Sequence, residues 1–395
     1  MNNNNVALVM TGNEGYGVRT VWHNLIKGLI KQNCKILIFV LDNTFDYKLL
    51  ENLDLGLIEV IQKTPKEDNE ILSDNKFIYL LKKVSVIYEQ TKNFFWLSKK
   101  ARKRNIHSIL FQSPTYVFSS LVLRFSGNFR SIWMVPNVIG NNYPFDLNKR
   151  LYRCFIHISG ITVLPNSVYT SQTISDKTLN GNSKVIYPGV DCTVFDDEKI
   201  KEDPRMRQSL GISDSAVVFC IAASLTKIKG HSMLIRALAT LNTTGYDLHL
   251  IICGGSVNSA LENSLKKLTQ ELGLLNNIHF MGPVDDIRLY YKVCDVVISN
   301  TLCPEGFGLS IVEAMSFRRP VIAHALGGPS ETVVDNHTGW LYLPATIENL
   351  VEAIKRCLSD QPRWRTFGIN GRNRALKMFS AETMSKKIYE IIFNS

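Results

Sequence analysis

Two glutamates and two glycines lie close together in the stretch TLCPEGFGLSIVEAMSFRRP, residues 301–320. Glu305 stands directly before Gly306, Gly308 follows, and Glu313 lies eight residues after Glu305. The glycines predict a turn that leads from an apolar run into a helix. Because the first N–H groups of a helix have no partner within it, such a start binds pyrophosphate or hydroxyl groups.

The two glutamates limit the kinds of ligand that this turn can bind. With the helix beginning near Leu309 or Ser310, Glu313 lies about one turn inside. A carboxylate there repels a phosphate but accepts hydrogen bonds from vicinal hydroxyls, such as those of a ribose. The stretch therefore indicates hydroxyl recognition beside a phosphate site. The plainer interpretation is a loop and a surface helix whose acids only favour its N-terminus.

A second glycine-containing loop, GNEGYGV, occupies residues 12–18. Its glycines at 12, 15 and 17 do not form G-x-G-x-x-G, and no G-K-[ST] follows. Glycine permits the turns and the close backbone approach that phosphate binding needs. A tight turn before a helix carries glycine for geometry alone just as readily, so both interpretations stay open.

Short apolar runs alternate with helical patterns along the chain, which is the rhythm of parallel sheets covered by helices. We expect two doubly wound, Rossmann-like α/β domains that face each other across a deep cleft. Ligands of such sheets bind beyond the carboxyl ends of the strands, where both glycine loops lie. The predicted strands span 6–10, 35–41, 108–112, 131–135, 160–166, 216–224, 248–255, 278–282, 295–300 and 319–324.

The polar stretch 191–215 predicts the connection between the domains. We place an N-terminal domain at 1–190 and a C-terminal domain at 191–379. The stretch 380–395 predicts an amphipathic helix.

Composition favours a soluble protein of a reducing, cytoplasmic compartment. Hydrophobic residues make up 45% and charged residues 20%, which is globular composition. Eight cysteines show no C-x-x-C pair, and no signal peptide or membrane span is recognisable.

The net charge of +10 comes from the first half, where residues 1–190 hold 23 Lys and Arg against 13 Asp and Glu. Within it, residues 76–104 hold nine basic residues and one acid, next to Phe94, Phe95 and Trp96. This segment favours either contact with an anionic membrane surface or a core-packed helix with a solvated basic face. Nucleic acid is not expected, because no motif for it is present.

With these residues in view, the chain resembles the family 4 retaining glycosyltransferases of the GT-B fold. EGFGLSIVEAM matches their E-x7-E signature, and RPVIAHALGGPSETVVDNHTGWLY matches the block after it. PNSVYTSQTI, VIYPGVD, IKGHSMLIRAL and MGPVDDIRLYYKVCDVVISN also agree. The similarity is dense over about 160–345. It also implies that the C-terminal helix 380–395 crosses back onto the N-terminal domain.

The resemblance implies a donor site for a nucleoside-diphosphate sugar, UDP- or GDP-linked. It implies that Glu313 holds the ribose, that Lys229 neutralises the diphosphate and that Val284 lies near the nucleobase. The other residues that it assigns to the donor are Gly15 and Gly17 near the phosphates, Glu305, Gly306, Phe307 and Gly308 facing the sugar, and Leu309 and Ser310 with backbone N–H groups on the diphosphate.

Two positions depart from the family pattern. Ser224, after Ala223, stands where the family has an arginine that holds the leaving diphosphate, and losing that contact weakens charge stabilisation. Lys227 either compensates or is a solvated loop lysine. Asn137 stands where family members often have a histidine; it can bind a sugar hydroxyl but cannot act as a base.

The resemblance implies a retaining glycosyltransferase acting on a glycan or lipid-linked acceptor at the inner membrane face, in cell-surface polysaccharide or glycolipid synthesis. Catalysis is assigned to Glu305, Lys229 and Asn137. No D-x-D is present, so no metal or other cofactor is expected. The alternative, motivated by Ser224, is a donor-binding but catalytically weak partner of another transferase. A same-fold epimerase or phosphorylase fits less well.

Overall fold

The structure is a computed structural model in which the chain divides into two compact units. Unit 1 comprises Met1–Gly189 and Ala381–Ser395, and unit 2 comprises Val190–Ser380. These junctions differ by one residue each from those predicted. The structure describes residues 4–12, 14–41, 45–63, 76–127, 129–140, 147–174, 182–201, 204–242, 245–256 and 259–394, with the backbone alone at 76–84, 86, 147–149 and 204.

Unit 1 contains a parallel sheet of six described strands. Their residues are almost continuously apolar, as expected of strands covered by helices on both faces. The strands are β1 Asn5–Met10, β2 Lys35–Val40, β3 Ile58–Gln62, β4 Ser108–Phe111, β5 Arg130–Val135 and β6 Thr162–Pro165. Their order across the sheet is β3-β2-β1-β4-β5-β6.

Helices flank this sheet, and the core lies between the two layers. Phe94, Phe111 and Trp133 are fully buried there. The helices are α1 Tyr16–Lys31, α2 Lys76–Arg102, α3 Tyr116–Ser119, α4 Leu121–Ser126, α5 Leu147–Ser159 and α6 Val168–Ile174.

Unit 2 repeats this plan. Its strands are β7 Val217–Ala222, β8 Leu248–Cys253, β9 Ile278–Gly282, β10 Val296–Ser299, β11 Val321–His324 and β12 Gly339–Tyr342. All pairs are parallel, in the order β12-β11-β10-β7-β8-β9. The helices are α7 Pro204–Ser209, α8 His231–Leu241, α9 Ser259–Glu271, α10 Ile287–Val293, α11 Leu309–Ser316, α12 Pro329–Thr332, α13 Ile347–Ser359 and α14 Trp364–Met378.

The final helix, α15 Ala381–Phe393, packs within unit 1. Gly28 of α1 makes this contact possible, since a Cβ atom at Gly28 would lie 2.2 Å from the Ser385 Oγ atom. Arg130 donates to the carbonyl of Ile391, and Asn4 Nδ2 donates to the Tyr389 hydroxyl at 3.0 Å. Helix α15 therefore packs against α1 and contacts the amino ends of β1 and β5.

The predicted α/β class and the parallel sheets are confirmed, and each of the ten predicted strands is present within a few residues of its predicted bounds. Two strands were missed. β3 is a half-buried edge strand that carries Glu59, and β12 has four residues beginning at Gly339. Both sit at sheet edges. β3 mixes polar and apolar residues, so its apolar signal is weak, whereas β12 is buried but too short for its apolar run to identify a strand.

The basic segment forms α2, and its aromatic residues separate into two groups. Phe94 and Leu97 are completely buried in the core of unit 1, whereas Phe95 is 54% exposed. Lys92, Lys99 and Arg102 are exposed beside it. Within the described residues, no helix has the length and apolar character needed to cross a membrane.

Candidate functional site

The predicted turn and helix are present at the carboxyl end of β10. Gly308, with φ +88°, precedes α11, which begins at Leu309 as predicted. No side chain caps this helix start. Among the described residues, none accepts a hydrogen bond from the backbone N–H of Leu309 or Ser310. The helix start therefore presents free N–H groups, as an anion site requires.

A glycine pair supports the turn from the strand next to β10. The Gly328 N–H donates to the Glu305 carbonyl at 2.8 Å, and the Glu305 N–H donates to Leu326 at 3.3 Å. A Cβ atom at Gly327 would lie 2.3 Å from the Glu305 carbonyl oxygen, and one at Gly328 would lie 2.4 Å from the Phe307 Cα atom. Only glycines allow the two backbones to approach this closely.

Lys229 and Glu305 form an ion pair. The Lys229 Nζ atom donates to Glu305 Oε1 at 3.1 Å and to Thr301 Oγ1 at 3.2 Å. The Thr301 hydroxyl in turn donates to Glu305 Oε2 at 2.8 Å. The two charged side chains are 25% and 21% exposed. Because β7 and β10 are neighbours in the sheet, the loops that follow them meet at its carboxyl edge.

A second set of contacts holds these loops together. Asn300 Nδ2 donates to the Gly230 carbonyl at 2.7 Å, and the Leu302 N–H donates to the Ile228 carbonyl at 2.7 Å. The Tyr342 hydroxyl donates to Asn300 Oδ1. Lys229 is thus fixed beside Glu305 by backbone pairing as well as by its own charge.

Glu313 lies in α11 with only 4% of its surface exposed. Burial raises the pKa of its carboxyl to about 7. It also contributes, after burial itself, to the raised pKa of the neighbouring Tyr291 hydroxyl. The group therefore changes charge near neutral pH, and a ligand that donates hydroxyl hydrogens to it would favour its ionised form.

The remaining residues assigned to the donor in unit 2 lie along the same edge. Ser224 is exposed after β7, and its carbonyl accepts from the Thr226 N–H at 2.9 Å. Lys227 is exposed as well. Val284 is half-buried, two residues beyond the end of β9. Phe307 is buried and packs edge-on against Phe379.

Three residues of the sequence-predicted site belong to unit 1. Gly15 is exposed and precedes α1 with φ −62°, and no atom of the described residues lies within 4 Å of the position that a Cβ atom would take. Gly17 lies inside α1. The geometric reason for glycine given above therefore fails at Gly15; it applies to Gly12, whose φ is +97°. Asn137 is exposed after β5.

Other residues of the site were missed from the sequence. In unit 1, Glu14 Oε1 accepts from the Thr11 N–H at 2.6 Å and from the Gly12 N–H at 3.3 Å, which closes the first loop. In unit 2, His324 Nδ1 donates to the Thr301 carbonyl at 2.7 Å. Burial lowers the pKa of His231 to about 4, so this residue adds no charge at pH 7. The one signal available for Glu14 and His324 was a polar residue at or soon after a strand end, and His231 is instead the first residue of α8.

Comparison with known proteins matches residues 202–374, within unit 2, to the family described as glycosyl transferases group 1. The D-inositol 3-phosphate glycosyltransferase of Corynebacterium aurimucosum is 32% identical over 193 residues, 47% of this chain and 45% of that protein. The GDP-mannose-dependent alpha-(1-6)-phosphatidylinositol monomannoside mannosyltransferase of Mycolicibacterium smegmatis is 30% identical over 217 residues, 52% and 54% of the two chains. The chain thus spans about half the length of these curated relatives.

The whole chain also matches a solved structure. HepE of Anabaena, determined in complex with UDP, superimposes with a TM-score of 0.78 at 21% identity, covering 99% of this chain and 100% of that one. At this identity the match concerns the fold. The fold is the GT-B fold that the resemblance implied.

Proposed function

We propose that the chain is a retaining glycosyltransferase that moves a sugar from a nucleoside-diphosphate sugar to a glycan or lipid-linked acceptor. The observation that carries the proposal is the Lys229–Glu305 pair at 3.1 Å, beside the free N–H groups that begin α11. It lies in the segment that matches the group 1 glycosyl transferases. The proposed setting is cell-surface polysaccharide or glycolipid synthesis.

In this function unit 2 binds the donor. The N–H groups of Leu309 and Ser310 and the Lys229 ammonium stabilise the charge that develops on the leaving diphosphate. Glu313 accepts hydrogen bonds from the ribose, and Glu305 with the backbone at 306–308 faces the transferred sugar. Val284 lies near the nucleobase. The HepE complex with UDP and the GDP-mannose-dependent relative make UDP and GDP donors the first to be tried.

Unit 1 binds the acceptor, with Asn137 as a candidate partner of a sugar hydroxyl, while Gly15 and Gly17 stay assigned to the donor phosphates. The acceptor hydroxyl attacks from the face that the diphosphate leaves, and its proton passes to the leaving phosphate. No protein base is then needed at Asn137, which is neutral. Neither a metal ion nor another cofactor takes part, so activity is expected to survive treatment with EDTA.

The test is transfer or donor hydrolysis with UDP- and GDP-sugars, comparing the native chain with Glu305→Ala and Glu313→Ala. Loss of activity in both variants supports the proposal, and unchanged activity in both would sink it. Thermal melting of the variants controls for folding.

Ser224 motivates a second function, that of a donor-binding partner of another transferase. It is exposed where the resemblance places an arginine. Calorimetric binding of a nucleotide without turnover of any donor and acceptor mixture would favour this function over catalysis.

We also propose that unit 1 contacts the inner, anionic face of a membrane, in the cytoplasm. Lys92, Phe95 and Lys99 are exposed on α2, a combination that binds anionic interfaces. Sedimentation with vesicles that contain phosphatidylserine tests this. Binding that survives the triple change Lys92→Gln, Phe95→Ser, Lys99→Gln would contradict it.

A further inference from the structure

In the structure, Lys229 already has an anionic partner inside the protein. Its Nζ atom donates to Glu305 Oε1 at 3.1 Å and to Thr301 Oγ1 at 3.2 Å. Two of its three donors are therefore used. With both charged side chains about three-quarters buried, at 25% and 21% exposed, the pairing is screened less by water than a surface ion pair.

Thr301 keeps the acid in this position. Its hydroxyl donates to Glu305 Oε2 at 2.8 Å, so the lone pairs of Thr301 Oγ1 are left to accept the hydrogen bond from Lys229. The Thr301 carbonyl accepts from His324 Nδ1 at 2.7 Å, which fixes the backbone that carries the hydroxyl. Among the described residues, each carboxylate oxygen of Glu305 thus has one side-chain partner, and Lys229, Thr301 and Glu305 are all hydrogen-bonded to one another.

This arrangement conflicts with the use of the same two residues in the proposed function. There, Lys229 neutralises a diphosphate while Glu305 accepts hydrogen bonds from sugar hydroxyls. The N–H that Lys229 gives to Glu305 is not available to a phosphate oxygen, and the carboxylate cancels much of the ammonium's field. One partner has to be exchanged for another when the donor binds.

Resting on the proposed function, we propose that Glu305 is the internal counter-ion of Lys229, held by Thr301 as a positioning residue, and that the donor diphosphate displaces it. An intact donor compensates Glu305 with hydroxyl groups from its sugar. A nucleoside diphosphate without a sugar does not, and it leaves a carboxylate 21% exposed with no counter-ion. Glu305 therefore disfavours the nucleotide product and returns to Lys229 as that product leaves.

The inference predicts that removing the acid's charge tightens product binding. Calorimetric titration with UDP, GDP and ADP compares the native chain with Glu305→Gln, Thr301→Val and Glu352→Gln. Whichever nucleotide binds the native chain is expected to bind Glu305→Gln about tenfold more tightly, the worth of one hydrogen bond to a charged group. Thr301→Val, which loosens the acid, is expected to give roughly a threefold gain.

Glu352→Gln is the matched control. It lies exposed on α13 of the same unit and changes the net charge by the same amount, so its nucleotide affinity is expected to stay at the native value. If Thr301 only stabilised the local structure, Thr301→Val would lower the affinity for the nucleotide rather than raise it.

The outcomes separate the two proposals. Equal or weaker nucleotide binding by Glu305→Gln overturns the proposal that Glu305 is the internal counter-ion of Lys229. Should that variant fail to fold by circular dichroism, weaker binding by Thr301→Val overturns it instead. If the native chain and every variant bind none of the three nucleotides, the proposed donor site itself is wrong.

Discussion

The two units have sheets of the same strand order and very different carboxyl edges. In unit 2, the edge carries the Lys229–Glu305 ion pair and the buried Glu313. In unit 1, Glu14 and Lys63 follow β1 and β3, but β4, β5 and β6 are followed by the uncharged amides Gln112, Asn137 and Asn166. The common topology therefore brings strand ends together in both units, while the loops decide what chemistry stands there.

The difference fits the proposal that unit 2 binds the donor and unit 1 binds the acceptor. A diphosphate needs fixed charge and free N–H groups, both of which unit 2 supplies. A polyhydroxylated acceptor needs donors and acceptors of neutral character, such as amides. The four predictions that follow test this contrast, each by pairing a residue of interest with a control where the chain offers one.

The largest effect on activity is expected from Lys229, at the carboxyl edge of the sheet of unit 2. Replacing Lys229 with Met should lower kcat/KM for the donor by about 100- to 1000-fold, because charge on the leaving group loses its stabilisation. Asn137→Ala in unit 1 should cost less than about tenfold, the worth of one neutral hydrogen bond. Steady-state kinetics measures kcat/KM for both variants. Losses of similar size would contradict the proposed difference between the two carboxyl edges.

The next largest effect is expected on the pH dependence of stability and comes from Glu313. Its pKa is raised from 4.5 to about 7 by burial, so the unfolded chain releases this proton at lower pH than the folded one. Glu313 therefore costs stability as pH rises from about 4.5 to 7, approaching about 3 kcal/mol above that window. Glu313→Gln should raise the urea midpoint at pH 8 and change it little at pH 4.5.

Glu14 of unit 1 is the control for this experiment. Its Oε1 atom accepts two backbone N–H bonds and one from the Thr11 hydroxyl. Glu14→Gln should therefore bring no gain at pH 8. A gain in that variant, or none in Glu313→Gln, would contradict the assignment of the pH effect to burial of Glu313.

The third effect compares the glycines of the two edges. Gly327→Ala forces a Cβ atom to 2.3 Å from the Glu305 carbonyl and should lower the free energy of unfolding by about 2 kcal/mol. Gly15→Ala meets open space at φ −62° and should leave it unchanged or raise it by about 0.5 kcal/mol. Urea unfolding distinguishes the two, and destabilisation by Gly15→Ala would be the unexpected result.

The smallest effect is expected at Ser224. Ser224→Arg returns a cation to the exposed end of β7 and should raise donor affinity about three- to tenfold through a charge-assisted phosphate contact. The comparison is with Lys227→Gln in the native background. If Lys227→Gln weakens binding and Ser224→Arg adds nothing, Lys227 already supplies that charge.

The parts predicted from sequence were those with a strong local signal. The central strands, buried on both faces, and the start of α11 at Leu309 follow from apolar runs and from the glycine turn. The Lys229–Glu305 contact could not be read in the same way, because the two residues are 76 apart and meet only through the pairing of β7 with β10. Thr301 and His324 were missed because an uncharged or single polar residue after a strand has many possible roles.

The glycines show that residue type alone does not reveal why a glycine is present. The loop 12–18 was expected to need glycine for its turns, yet Gly15 adopts an ordinary extended conformation in open space. By contrast, Gly327 and Gly328 were read only as part of a family block, and they prove to be where two backbones touch. Conformation and contact are three-dimensional properties that residue type alone does not reveal.

The contact between Gly28 and Ser385 has a consequence for biosynthesis. Residues 1–189 leave the ribosome before unit 2, but the helix that packs against α1 is translated only after all of unit 2. Since domains generally fold as they emerge, unit 2 has the opportunity to fold while unit 1 still lacks a helix. Unit 1 is thus begun before unit 2 and completed after it, and until α15 is translated the α1 surface around Gly28 lacks the helix that packs against it.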